Sequence, residues 1–217
     1  MPMDVHLPIL EGSPPWSLER VEYVALRNLR HVQSRVREHP GYRITEQLTS
    51  ISSLLRLFNK TAASFLADIE QFHIEVRKNG LLQRNRAADR RLLLEQIQER
   101  LYLFTTCSAS LADQTRKLSK IVKISGYEER KNSAFAENPI HRFVNDLRID
   151  VVHLHLHTPG WQHTVGNSED NTTFFLSSFQ LPRASEYHNL SKRYLDQHPN
   201  GIDLGALVFA YRELGNL

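Results

Sequence analysis

The chain has 217 residues, of which 41% are hydrophobic and 24% are charged, and its formal net charge is +3. This length and composition suffice for an independent hydrophobic core and exclude a fully disordered chain. The sequence lacks an apolar run of the roughly 20 residues that a membrane span requires, and its single cysteine, Cys107, excludes an internal disulfide and a cysteine-rich zinc module. We therefore expect a cytoplasmic protein without a membrane segment.

The N-terminal residues 1–16 are rich in proline and show no hydrophobic period, which predicts a flexible lead-in. Ser17 is a typical helix N-cap residue, and we expect a helix from there to about Arg37. The helix should end before Pro40, because proline interrupts the hydrogen bonds of a helix interior. Residues 17–217 are predicted to form one helical domain.

The strongest signal is a hydrophobic repeat of seven residues that extends across residues 44–124. Its first series alternates steps of four and three residues and consists of Ile44, Leu48, Ile51, Leu55, Phe58, Ala62, Phe65, Ile69, Phe72 and Val76. Its second series consists of Leu94, Ile97, Leu101, Phe104, Ser108, Leu111, Thr115, Leu118 and Val122. This spacing places each series on one helix face, and Gly80 marks the turn between them. The pattern predicts a long antiparallel helical hairpin.

Arginines are concentrated where this hairpin turns. The cluster, called the basic tip below, consists of Arg84, Arg86, Arg90 and Arg91. Such clusters attract phosphate backbones, although arginine-rich solvated helix faces are also common. One hypothesis is therefore a non-enzymatic helical scaffold that presents its basic tip, or the seam of its seven-residue repeat, to a protein or a nucleic acid.

A further helix is predicted from Asn138 to about His153. Its apolar residues fall on one side of a helix and are Ile140, Phe143, Val144, Leu147, Val151 and Leu154. Beyond it, two short segments with strand-like sequences predict a small β-hairpin near residues 160–181. Two helices are expected to follow, at about 184–197 and 202–214. The expected fold is an all-α helical bundle built around the long hairpin.

Histidines cluster between His141 and His163. Three of them are His153, His155 and His157. Their side chains would face the same side if this segment were a strand, whereas on the predicted helix they diverge. No carboxylate follows closely enough to complete a ligand set. We therefore expect no metal and no other cofactor.

Within the predicted helix, Arg148 is followed after four intervening residues by His153. A guanidinium binds phosphate oxygens and an imidazole titrates near neutral pH, so this pair suits RNA cleavage through the 2′-hydroxyl without a metal. The Arg-x4-His spacing, with Pro139, Phe143 and Leu147 before it, resembles the HEPN family of helical domains.

The resemblance covers residues 138–217 and implies a metal-independent RNA endonuclease, a toxin or defence component, in which Arg148 holds the scissile phosphate. His153 would act as acid or base, and the residue after the arginine is Ile149 where family members commonly have a polar residue. The supporting residues expected on the same helix are Arg142, Asn145 and Asp146. The resemblance further implies a homodimer, since two copies of the motif meet in HEPN ribonucleases. The expected partners are RNA and a protein, either an antitoxin or a complex subunit.

A structural role for this helix is the alternative. Arg142 and Asp146 lie one helical turn apart, which predicts an ion pair between them, and His153 follows on the same stripe. Such a stripe would serve a helix–helix interface and would need no chemistry. The residues alone leave both interpretations open.

Overall fold

The computed structural model describes residues 15–153, 159–165, 170–181 and 183–215. They belong to two compact units, whose boundary lies between Ser50 and Ile51 within the second helix. The elements of the described part are α1 (Leu18–Glu38), α2 (Pro40–Asn79), α3 (Ala87–Ile121), α4 (Tyr127–Lys131), α5 (Pro139–His153), β1 (Gly160–Thr164), β2 (Asn171–Leu176), α6 (Asn189–Asp196), β3 (Ile202–Asp203) and α7 (Leu204–Gly215). The predicted all-α fold is confirmed, with one small sheet.

The first unit holds α1 and the beginning of α2. The Ser17 hydroxyl accepts a hydrogen bond from the Arg20 backbone N–H at 3.2 Å, which confirms the predicted N-cap. α2 begins at Pro40, because a proline at the first position of a helix gives up an N–H that has no partner there anyway. No residue of α1 is buried.

In the second unit, the remainder of α2 packs antiparallel on α3 and confirms the predicted hairpin. The Phe104 ring lies 5.6 Å from that of Phe58 and 6.4 Å from that of Phe65, measured between centroids. Further along the pair, Arg100 Nε donates to Asp68 Oδ2 at 2.6 Å. Phe58, Phe65 and Phe104 are almost completely buried, so the seven-residue repeat supplies the core of this unit.

The hairpin turns at Gly80, whose φ of 65° lies in the left-handed region that glycine adopts without strain. The Leu81 N–H donates to the Glu75 carbonyl at 3.0 Å and satisfies an end group of α2. The predicted end of the first long helix is therefore confirmed. Leu81 itself is fully buried, which fixes the turn against the core.

The C-terminal part packs on the hairpin through α5, α7 and an antiparallel sheet in the order β1-β2-β3, and α6 packs on α5. Trp161 pairs with Phe174 across β1 and β2, and both rings pack on Phe72 of α2 at centroid distances of 5.3 and 4.9 Å. At the other end of the hairpin, Tyr211 of α7 lies 6.0 Å from Phe58. One core therefore connects α2, α3, α5, α7 and the sheet.

Several boundaries differ from the predictions. The segment between the hairpin and α5, for which no element was predicted, contains α4, followed by a π-helical turn at Asn132–Ala136. The helix expected at 184–197 is a 3₁₀ turn at Ala184–Glu186 followed by the shorter α6. Residues 202–203 extend the sheet as β3, because Ile202 pairs with Leu176, and α7 begins only at Leu204.

Candidate functional site

α5 carries the residues that the sequence marks for chemistry. The Asn138 side chain accepts a hydrogen bond from the His141 backbone N–H at 3.1 Å and caps the helix. Phe143, Val144 and Leu147 are fully buried and anchor one face of α5 in the core. The polar residues of α5 are thereby held in fixed directions on its other faces.

Arg148 is half-buried, and its Nε has no hydrogen-bond partner among the described residues. An isolated guanidinium N–H in such a position is unusual, because arginines that leave bulk water normally find an acceptor. The two acids nearest in sequence, Asp146 and Asp150, are both bound elsewhere. Arg148 therefore has a buried N–H, at Nε, for which the described residues supply no acceptor.

Asp146 binds the N-terminus of α6. Its Oδ2 accepts hydrogen bonds from the His188 backbone N–H at 2.9 Å and from the Ser191 hydroxyl at 2.6 Å. The predicted ion pair between Arg142 and Asp146 is therefore wrong: among the described residues Arg142 pairs with no acid, and its Nη2 donates to the Ala136 carbonyl at 3.3 Å. The unpaired N–H groups at the N-terminus of α6 bind the carboxylate more favourably than an exposed ion pair would.

Asp150 lies inside the protein, with 1% of its surface exposed. The Tyr187 hydroxyl donates to its Oδ2 at 2.6 Å, and its Oδ1 has no partner among the described residues. Burial and this hydrogen bond raise the pKa of Tyr187, so the hydroxyl stays protonated and keeps donating. The pair joins the C-terminal turns of α5 to the segment before α6.

α5 extends to His153, as predicted, but the side chain of His153 is outside the described part of the structure. Its convergence with Arg148 therefore stays a prediction, as does the homodimer. His155 and His157 also fall outside the described residues. Within the described ranges, no three His, Cys, Asp or Glu side chains are grouped so that they could hold a metal.

A cavity of about 700 Å³ opens beside the N-terminal half of α5. Two predicted supporting residues, Arg142 and Asn145, line it, whereas Asp146 and Arg148 do not. Its inner wall contains His141 and the buried Tyr211, neither of which the sequence marked as functional. Tyr211 comes from α7, so no local motif connects it with His141, and only the tertiary fold brings them together.

His141 is hydrogen-bonded on both sides of its ring. Its Nδ1 lies 3.1 Å from the Tyr211 hydroxyl, and its Nε2 lies 3.0 Å from the Asn145 amide nitrogen. An amide nitrogen only donates, so Nε2 accepts and the single ring proton sits on Nδ1, donating to Tyr211. This arrangement requires a neutral imidazole.

The surroundings of His141 favour that neutral form. Burial, together with the positive charges of Arg142 and Arg116, lowers the pKa of His141 to about 4. Burial likewise raises the pKa of Tyr211 to about 12, although the Ser108 hydroxyl opposes this change. At neutral pH both rings are therefore uncharged.

The basic tip consists mostly of arginines that hold the turn together. Arg86 donates to the Glu75 and Asp89 carboxylates and to the Asn79 carbonyl. Arg90 Nη1 donates to the Leu81 carbonyl at 3.1 Å, and Arg91 Nε donates to Glu95 Oε1 at 2.7 Å. Arg84 is exposed. Three of the four arginines therefore have intramolecular hydrogen-bond partners, and two of them, Arg86 and Arg91, pair with acids.

Comparison of the chain with family models, with curated proteins and with solved structures produced no match. In the described ranges, each helix is too short or too polar to traverse a lipid bilayer. What the site does must therefore be argued from its own residues.

Proposed function

We propose that the chain is a HEPN-like RNA endonuclease that needs no metal. It would act in the cytoplasm as a homodimer, in the role of a toxin or defence component controlled by an antitoxin-like partner. Arg148 would hold the scissile phosphate, and His153 would transfer the proton. The observation that carries this proposal is the half-buried guanidinium of Arg148, which has an N–H without a partner in the described part of the chain.

The reaction needs only groups that an arginine and two histidines supply. The RNA 2′-hydroxyl attacks the phosphorus atom while a neutral imidazole takes its proton. The bond from phosphorus to the 5′-oxygen breaks, the leaving oxygen receives a proton from an imidazolium, and a 2′,3′-cyclic phosphate and a 5′-hydroxyl remain. Two copies of the chain would supply one His153 as base and one as acid.

The surroundings of Arg148 support this role. Asp146 and Asp150, its nearest acids in sequence, are held by α6 and by Tyr187. A carboxylate on the guanidinium would compete with phosphate, and no described acid forms an ion pair with Arg148, which favours anion binding. The helix through Arg148 and His153 is in turn anchored in the core at Leu147.

The scaffold hypothesis has less support. It depends on exposed cations at the basic tip and on a heptad seam that exceeds the needs of the core. Arg86 and Arg90 have partners within the turn, and Arg91 pairs with Glu95 along α3. The seam from Phe58 onwards is buried by the chain's own C-terminal part. Arg84 and Arg91 are the exposed cations of this cluster.

The test is incubation of the purified chain with end-labelled single-stranded RNA in excess EDTA. We expect cleavage that leaves cyclic phosphate ends and that falls by at least about 100-fold in Arg148→Ala and in His153→Ala. Arg30→Ala and His39→Ala are matched controls at exposed positions and should cleave like the parent. Loss of cleavage in EDTA, absence of cleavage, or unchanged activity in both site variants would each refute the proposal.

A further inference from the structure

The cavity beside α5 has cations on its wall and no acid. Its charged lining residues are Arg116 of α3, Lys131 of α4 and Arg142 of α5. Asp113 and Glu128 contact Arg116 and Lys131 along their own helices but do not line the cavity. Three cations from three separate elements therefore line one space that contains no carboxylate, and Arg142 is the one of them without an acidic partner among the described residues, which favours an anion.

One N–H group of Arg142 has no hydrogen-bond acceptor among the described residues. Its Nη2 donates to the Ala136 carbonyl, whereas its buried Nε has no acceptor among the described residues. A buried N–H without an acceptor is costly, and a carboxylate or phosphate oxygen is its strongest partner. Because this Nε is itself shielded from the open cavity, what Arg142 brings to the cavity wall is a positive charge that no described acid offsets.

The rest of the wall is apolar and aromatic. Leu55 and Phe58 of α2 and Leu111 of α3 form one side, while Phe135 stands on the other at 4.7 Å from the His141 ring. The volume of about 700 Å³ lies within the range of small-molecule sites. An inorganic ion would leave this apolar surface uncovered, so the ligand should carry an apolar body.

We propose that this cavity binds a small amphipathic anion. Its carboxylate or phosphate headgroup would lie among Arg116, Lys131 and Arg142, and its apolar body would lie against Phe58 and Leu111. The proposal is independent of the ribonuclease proposal, because neither Arg148 nor His153 lines the cavity. RNA cleavage and ligand binding are therefore separate measurements that can fail separately.

The probe is 8-anilinonaphthalene-1-sulfonate, whose fluorescence rises in an apolar site, titrated into the full chain. Its uncharged relative N-phenyl-1-naphthylamine has the same rings without the sulfonate. We expect saturable one-to-one binding of the anionic dye and at least about tenfold weaker binding of the neutral one. Equal affinity for the two dyes would overturn the proposal.

Displacement then identifies the headgroup. Decanoate and decyl phosphate should displace the bound dye, and whichever acts at the lower concentration names the headgroup chemistry. Decanol, which has the same chain and no charge, should not displace it. Displacement by decanol as effective as that by both anions would contradict an anion site.

Two variants locate the binding. Arg116→Gln and Lys131→Gln should each weaken dye binding by about tenfold, since each removes a charge-assisted contact. Arg91→Gln is the matched control, because Arg91 also lies exposed on α3 in an ion pair within its own helix, with Glu95, but outside the cavity. Unchanged binding in both cavity variants, with circular dichroism showing an intact fold, would refute the site.

Discussion

At the scale of single residues, the His141 imidazole has a strongly shifted pKa. Its pKa is lowered to about 4, first by burial and then by Arg142 and Arg116. A histidine in the unfolded chain has a pKa near 6.5, so the unfolded chain binds a proton over an interval in which the folded chain does not. The free energy of unfolding must therefore fall as the pH falls from about 6.5 to about 4.

We expect the shifted pKa of His141 to lower the free energy of unfolding by on the order of 1–2 kcal/mol across that interval. This is less than the whole pKa shift would give, because the ring is only half-buried and is partly screened by solvent. Urea unfolding at about pH 7 and about pH 4.5 measures the loss. His141→Gln should make the loss smaller, whereas His39→Gln, at an exposed position, should not. An equal loss of stability in parent and His141→Gln would contradict the assignment.

At the scale of elements, the sequence predicted what depends on long continuous patterns. The hairpin was predictable because its seam repeats over many turns, and even its polar members are satisfied locally: Ser108 and Thr115 donate to the Thr105 and Leu111 carbonyls, each at 2.8 Å. β3 was not predictable, because two residues carry no period. The start of α6 was missed because one of its capping groups, Asp146, lies 42 residues from His188 in sequence.

α6 should therefore depend on a residue of α5. We expect Asp146→Ala to lower the free energy of unfolding by about 1–2 kcal/mol, because the α6 N-terminus loses an acceptor and a favourable charge. Asp113→Ala is the matched control: its carboxylate makes an exposed ion pair with Arg116, and its loss should cost under about 0.5 kcal/mol. Urea unfolding compares the two, and hydrogen exchange should show faster exchange confined to α6. Equal costs for both variants would contradict the capping role.

At the scale of the whole molecule, sequence patterns reveal sites whose residues lie close together along the chain and miss sites whose residues lie far apart. The pair Arg148 and His153 was visible because both residues lie on one helix. The cavity was not, because α2, α3, α4, α5 and α7 each contribute isolated side chains to it, with Leu55 and Tyr211 more than 150 residues apart in the numbering. Hydrophobic periodicity shows which face of a helix is buried, but it does not show that a cavity is left between several helices.

The core itself lies entirely in the second unit. Its buried members extend from Phe58 to Tyr211, and α1 contributes none. We therefore expect a fragment of residues 51–217 to fold alone, with a free energy of unfolding within about 1–2 kcal/mol of the full chain, since it keeps nearly all of the buried apolar surface.

The matched control removes the other end of the chain. A fragment of residues 1–199 lacks α7 and its fully buried Leu204 and Val208, and it should not unfold cooperatively. Circular dichroism during urea unfolding measures both fragments. A fragment 51–217 that is unfolded, or a fragment 1–199 as stable as the parent, would place the stabilising contacts outside the second unit's core.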